Sequence, residues 1–372
     1  MSLNIKQMQQ DLPASLFDKN NNSAAESFDY SRVQHEWELG DTIRDMGKTI
    51  PAGVSVIRDI AYGPFNDEND AAKATNSKPF GKWNLLDVNM PVTPVQSANT
   101  DHSTASAGAG DTATRNNDDA ATDDSATRLP VIISIHGGGW FYGSKEIYRF
   151  YMADLATRGF VTINFNYRLT PEYKFPAPII DTTRVIQWLF KHADEYHMDT
   201  DHIFLIGDSA GGHLAGLYGC LCTNEALRAR LAAMFPEDFR DVPVVPDGFI
   251  PCGLGLNCGV YNVAAQFSSD PDKDTPPLRD FLSATGDLSA ADVLTNITSD
   301  YPPTFTLSAE NDFLLSEIQP LNDVLLKKGI LFESRVYGLG DPKIGHVFHV
   351  DVDKSEAIKA NNEESAFFKS LI

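Results

Sequence analysis

Short, nearly continuous apolar runs alternate with longer stretches of helical periodicity along most of this chain. Leu129-Pro130-Val131-Ile132-Ile133-Ser134-Ile135, Val161 to Tyr167, Ile203 to Ile206, Pro303 to Leu307 and Leu331 to Tyr337 are short and rich in β-branched and aromatic residues. Such runs predict strands buried on both faces. Between them, Tyr148 to Arg158, Asp181 to His192 and Ile318 to Lys328 predict helices, the second with Val185, Trp188 and Leu189 on its inner face. Upstream, Val54 to Ile60 and Leu85 to Met90 predict two further strands. Ser31 to Met46 predicts an amphipathic helix with Val33, Trp37, Leu39 and Ile43 on one face. Phe249-Ile250 and Val260-Tyr261 are expected to flank a Gly/Cys-rich turn. Strands alternating with helices over this length imply a mostly parallel sheet covered on both faces, a doubly wound α/β architecture. In that architecture reactive groups collect at the carboxyl ends of the strands.

The pattern breaks down twice. Residues 1–50 are polar with scattered aromatics and are expected to form an N-terminal arm that docks as part of a cap, leaving 51–372 as the main domain. From Gln96 to Arg128, Ser, Ala, Thr, Asn, Asp and Gly fill the chain without an aromatic residue. This stretch, 96–128, cannot bury enough apolar surface to offset its ordering entropy, so a mobile surface insertion is expected.

Composition adds exclusions. At 372 residues with 42% hydrophobic content, the chain can build a sizeable core. A formal net charge of -21 and a pI near 4.7 argue against nucleic acid and anionic membrane surfaces as partners. No signal-like N-terminus or run of roughly 18 apolar residues stands out, so a cytoplasmic location is expected. Four cysteines, Cys220, Cys222, Cys252 and Cys258, form no disulfide framework and show no metal-ligand spacing with histidine.

The chemistry begins where a strand runs into Gly207-Asp208-Ser209-Ala210-Gly211-Gly212 and an apolar helical run, His213 to Tyr218, follows. A Gly-x-Ser-x-Gly pentad between strand and helix holds its serine on a strained turn, with the hydroxyl exposed at the sheet edge. The following helix aims N–H groups at any oxyanion formed there. A nucleophilic serine needs a base and an acid, which in this fold follow it in the order Ser, Asp or Glu, His. Glu310 and Asp312 are the acid candidates, and His346 and His349 the base candidates; both pairs lie just beyond predicted strands. Gly137 and Gly138 lack side chains that would keep a carbonyl away, so with Ala210 they are expected to supply oxyanion donors.

Three motifs, His136-Gly137-Gly138-Gly139-Trp140, Gly207-Asp208-Ser209-Ala210-Gly211-Gly212 and Tyr167-Arg168-Leu169-Thr170-Pro171-Glu172, together resemble those of the hormone-sensitive-lipase group of α/β-hydrolase esterases. The resemblance spans roughly Val54 to the C-terminus. It implies an α/β-hydrolase fold with a mostly parallel eight-stranded sheet, helices on both faces and a small helical cap. It also implies hydrolysis of carboxylic esters without a metal or organic cofactor. Matched motif by motif, Ser209 is the nucleophile, Asp312 the acid and His346 the base, with His136 and Asp208 as structural members of the site. Val347 stands where the family has glycine after the histidine, which keeps His349 as an alternative. The implied partner is a small-molecule ester, with a homo-oligomer possible. The reading is thus a serine carboxylesterase for small to medium soluble esters. Its rivals are a serine peptidase on the same fold and a non-catalytic small-molecule receptor.

Overall fold

In the computed structural model, residues 28–63, 84–92, 128–266 and 276–372 are described. The predicted insertion therefore lies almost wholly outside the described residues. Eight strands form one sheet: β1 (Val54–Ala61), β2 (Leu85–Pro91), β3 (Leu129–Ile135), β4 (Val161–Phe165), β5 (Met198–Asp208), β6 (Gly253–Asn257), β7 (Thr304–Ala309) and β8 (Phe332–Tyr337). Their spatial order is β1-β2-β4-β3-β5-β6-β7-β8. The β1–β2 and β2–β4 pairings are antiparallel, and every pairing from β4 through β8 is parallel. The chain is thus an α/β-hydrolase fold.

The helices carrying the argument are α1 (Tyr30–Asp45), α2 (Arg149–Ala156), α3 (Ala177–His192), α4 (Ala210–Thr223), α5 (Glu225–Met234), α6 (Pro276–Leu282), α7 (Ile318–Lys328) and α8 (Ser355–Lys369). Two cores lie on opposite faces of the sheet. Val131, Ile133 and Leu205 join the one containing α3 and α4, whereas Ile132, Phe204 and Ile206 join the one containing α2 and α8. The strand period of two divides neighbouring residues between the faces, which is why these strands read as unbroken apolar runs. Helix α4 is buried from Ala210 to Cys222, so it runs through the interior rather than along the surface.

Two expectations need correction. The Gly/Cys-rich turn is instead β6, a fully buried central strand over Gly253-Leu254-Gly255-Leu256-Asn257. Its glycines answer to tertiary crowding: a side chain on Gly255 would collide with the carboxylate of Glu364 on α8. Strand β5 also begins earlier than its apolar run, because Met198 and Asp199 pair with Leu129 and Pro130 before the register shifts. All four cysteines are unpaired.

Candidate active site

The elbow sits between β5 and α4. Ser209 has φ +54°, a conformation that costs an L-residue roughly 1–3 kcal/mol and persists only where packing enforces it. The enforcement is visible: a Cβ on Gly211 would overlap the carbonyl oxygen of Ile135 at the end of β3. The Ser209 N–H donates to the Asn257 carbonyl at 3.0 Å, which ties the elbow to the end of β6. Ser209 itself remains partly accessible.

At the ends of β7 and β8 the two candidate pairs separate cleanly. His346 Nδ1 lies 2.8 Å from Asp312 Oδ1. Asp312 is further held by the Leu314 N–H on Oδ1 at 2.8 Å and the Ser308 hydroxyl on Oδ2 at 2.9 Å. Burial alone would raise the Asp312 carboxyl, but the adjacent His346 and hydrogen bonds from the Cys258 thiol and the Leu314 N–H hold it below the ordinary carboxylate range. Glu310 is exposed and accepts instead from the Gly340 N–H. His349 is fully buried behind the site, and burial lowers its pKa to about 3. Neither ring nitrogen of His349 has a hydrogen bond among the described residues. The structure therefore brings His346, not His349, to Asp312. Cys258, directly after Asn257, closes the gap between elbow and acid: its sulfur and ligand atoms of Asp312 and His346 lie within 4.8 Å of one another.

The glycine loop follows β3. Gly138 has φ +117° and a Cβ there would overlap the Tyr142 carbonyl, so only glycine fits. The Gly137 N–H, expected to face an oxyanion, points the other way and donates to the Tyr148 hydroxyl at 2.9 Å. That hydroxyl in turn donates to Asp208 Oδ2 at 2.6 Å. Gly137 is thus a link in the loop's foundation, and the expected donor role does not hold for it. The N–H groups of Gly138, Gly139 and Ala210 carry no hydrogen bond among the described residues. Asp208 is raised to about 6, chiefly by burial. His136 stacks on Tyr167 at 4.1 Å, and its Nδ1 lies 2.8 Å from the Gly137 carbonyl. Burial lowers His136 to about 4, so it is neutral near pH 7 and suits a structural place.

Tyr148 was readable only as a helix start; its pairing with Gly137 and Asp208 is tertiary and has no local sequence signal. The same holds for α1, which packs over the loop: Trp37 meets Phe141 at 5.2 Å, Gln34 donates to the Phe141 carbonyl, and the Tyr142 hydroxyl donates to Asp41. Trp140 stacks on Phe281 of α6 at 5.5 Å and donates to His213 Nδ1 on α4 at 3.2 Å. Tyr167 and Arg168 brace the loop, through the His136 carbonyl and Asp181 respectively, whereas Glu172 is exposed. A cavity of about 720 Å³ beside Tyr62, Arg184 and Trp188 includes neither Ser209 nor His346 in its lining and plays no part in this geometry.

The chain as a whole has parallels in known proteins. The BD-FAE family profile matches residues 120–319, more than half of the chain. The chain belongs to the BD-FAE family. It is similar to an esterase of Gibberella moniliformis, 30% identical over 64% of this chain and 67% of that protein. A probable carboxylic ester hydrolase, LipM, of Mycobacterium tuberculosis is 32% identical over 50% of this chain and 42% of its own length. In fold it resembles esterase B from Lactobacillus rhamnosis, with a TM-score of 0.68 at 22% identity over 99% of this chain and 96% of that one. A hyperthermophilic esterase from Pyrobaculum calidifontis gives a TM-score of 0.59 at 20% identity, covering 100% of this chain and 99% of that one. The chain is a carboxylic ester hydrolase of the hormone-sensitive-lipase-like group. No helix among its described residues is long and apolar enough to cross a membrane.

Proposed function

We propose that this chain hydrolyses small to medium carboxylic esters through an acyl-enzyme intermediate on Ser209. The observation that carries the reading is the 2.8 Å contact between His346 Nδ1 and Asp312, past the carboxyl ends of β8 and β7, at the same edge of the sheet as β5, which ends just before a serine held at positive φ. Asp312 keeps the proton on Nδ1, which leaves the Nε2 lone pair to take the Ser209 proton as Oγ attacks the ester carbonyl. The negative charge that develops on the carbonyl oxygen is met by N–H groups of Gly138, Gly139 and Ala210, each donor typically worth about 3 kcal/mol in the transition state. The imidazolium then protonates the departing alcohol. Water, deprotonated by the same nitrogen, releases the acid and restores the serine.

Trp140 and Phe281 are stacked and buried just past the glycine loop, and the Phe313 ring lies 4.3 Å from that of His346. A related fungal esterase is named for an acetate ester, versiconal hemiacetal acetate. Helix α1 supplies part of a small cap over the loop. Four unpaired cysteines fit a reducing, cytoplasmic location. The test is hydrolysis of p-nitrophenyl esters from acetate to long acyl chains by the native chain and Ser209→Ala. The reading expects a short-chain optimum and a loss of about four orders of magnitude or more in kcat for the variant. Equal rates for both proteins would refute it.

A further inference from the structure

Cys258 occupies an unusual place for a buried thiol. It follows β6 with φ +49°, is almost wholly excluded from solvent, and adjoins Asn257, whose carbonyl holds the Ser209 N–H. Cys220 and Cys222 sit in the apolar interior of α4, as small core residues do. Cys258 instead shares its position with a carboxylate and an imidazole. Its sulfur, one oxygen of Asp312 and one ring nitrogen of His346 all lie within 4.8 Å of one another, the only such trio of metal-ligating groups among the described residues.

We propose that Cys258, Asp312 and His346 form a capture site for a thiophilic divalent cation, Zn²⁺ or Cd²⁺, and that capture switches the hydrolase off. The metal-to-ligand lengths of tetrahedral zinc, about 2.3 Å to sulfur and 2.0–2.2 Å to nitrogen or oxygen, place ligand atoms about 3.5 Å apart. With all three atoms within 4.8 Å, the trio needs a contraction of at most about 1.3 Å on its long side and a slight opening of the 2.8 Å His346–Asp312 contact. Thiolate, imidazole and carboxylate together suit a borderline-soft ion and disfavour Mg²⁺ or Ca²⁺. On capture the thiol proton leaves to solvent as the sulfur bonds the metal, and a water fills the fourth position. The net charge of -21 raises the local concentration of cations around the protein.

The inhibition follows from tautomer chemistry and rests on the proposed role of His346. Nδ1 is the nitrogen facing Asp312. A metal on Nδ1 displaces its proton, so the neutral ring carries its hydrogen on Nε2. The nitrogen that must accept the Ser209 proton then has no lone pair to offer. The cleft stays open to substrate while the base is disabled.

Cd²⁺ serves as the spectroscopic probe, through its ultraviolet thiolate charge-transfer band, and Zn²⁺ as the activity probe. Titrations of the native chain, Ser209→Ala, Cys258→Ala, Cys258→Ser and Cys252→Ser are compared, and each active protein is referred to its own metal-free rate. One Cd²⁺ per chain with a thiolate band is expected for the native chain, Ser209→Ala and Cys252→Ser, with no band in either Cys258 variant. Zn²⁺ should suppress native hydrolysis reversibly, with chelator restoring it, and the Cys258 variants should need at least about tenfold more Zn²⁺ for the same loss. Should Cys258→Ala fail to fold, Cys258→Ser, with nearly the same shape, makes the comparison. A thiolate band that persists without Cys258, or equal Zn²⁺ sensitivity in all proteins, overturns the proposal. Because binding is read in Ser209→Ala, a native chain that hydrolysed no ester would overturn the activity while leaving the metal site decided by its own band.

Discussion

Glu364, on α8, is a buried carboxyl beneath the elbow, and its ionisation should set how stability depends on pH. Its side chain is 1% exposed. Oε1 accepts from the Asn257 amide at 2.9 Å, and the Asn257 backbone carbonyl holds Ser209. Burial raises the carboxyl from 4.5 to about 7, against the opposing pull of the Asn257 and Tyr151 hydrogen bonds and of Arg158. The folded chain therefore holds this proton more tightly than the unfolded chain does. The contribution is fully present below pH 4.5, declines as pH rises from 4.5 to about 7, and is lost above that. The rise in pKa corresponds to about 3 kcal/mol as an upper bound. Glu364→Gln keeps the acceptor for Asn257 and stays neutral at every pH. Urea denaturation followed by circular dichroism across this range should find the variant about 1–3 kcal/mol more stable than the native chain at pH 8. The two should converge near pH 4.5, where Glu364 is itself neutral. A difference that does not change with pH, or a variant that is less stable at pH 8, would refute the reasoning.

Two further substitutions probe the site directly. Asp312→Asn removes the acceptor that keeps the His346 proton on Nδ1, so kcat for a p-nitrophenyl ester should fall by about three to four orders of magnitude with little change in stability. Tyr148→Phe deprives the Gly137 N–H of its acceptor and Asp208 of its donor. Each orphaned buried group costs about 1–3 kcal/mol, and both the denaturation midpoint and kcat should drop, with KM least affected. An unchanged midpoint would show that water replaces the hydroxyl.

The regular parts of the fold were legible because local and tertiary demands agree. Val131 to Ile135 is rich in β-branched residues and buried on both faces, and α3 places Val185, Trp188 and Leu189 inward as its periodicity requires. The elbow was legible because Gly207 answers to crowding against Gly211, within a few residues of Ser209, although Gly211 itself is pressed against the Ile135 carbonyl of β3. Strand β6 was not, since glycine is unfavourable in strands in general and its selection here comes from Glu364, distant in sequence. Helix α8 was missed for a related reason: it buries Asn361, Glu364 and Ser365, so its inner face does not read as apolar. The choice between His346 and His349 was left partly open by sequence, because it depends on which ring a loop turns toward Asp312. The direction of the Gly137 N–H likewise depends on Tyr148, which no local motif connects to it.

The central claim is that Ser209 attacks the ester carbonyl, and phosphonate labelling tests it most directly. The native chain would be treated with a p-nitrophenyl alkylphosphonate, the adduct mapped by mass spectrometry, and residual ester hydrolysis measured on the same sample. One adduct per chain on Ser209, with activity falling in proportion to labelling and no adduct in Ser209→Ala, is the predicted result. Full activity in a fully labelled chain, or an adduct on another residue that accounts for the loss, would contradict it.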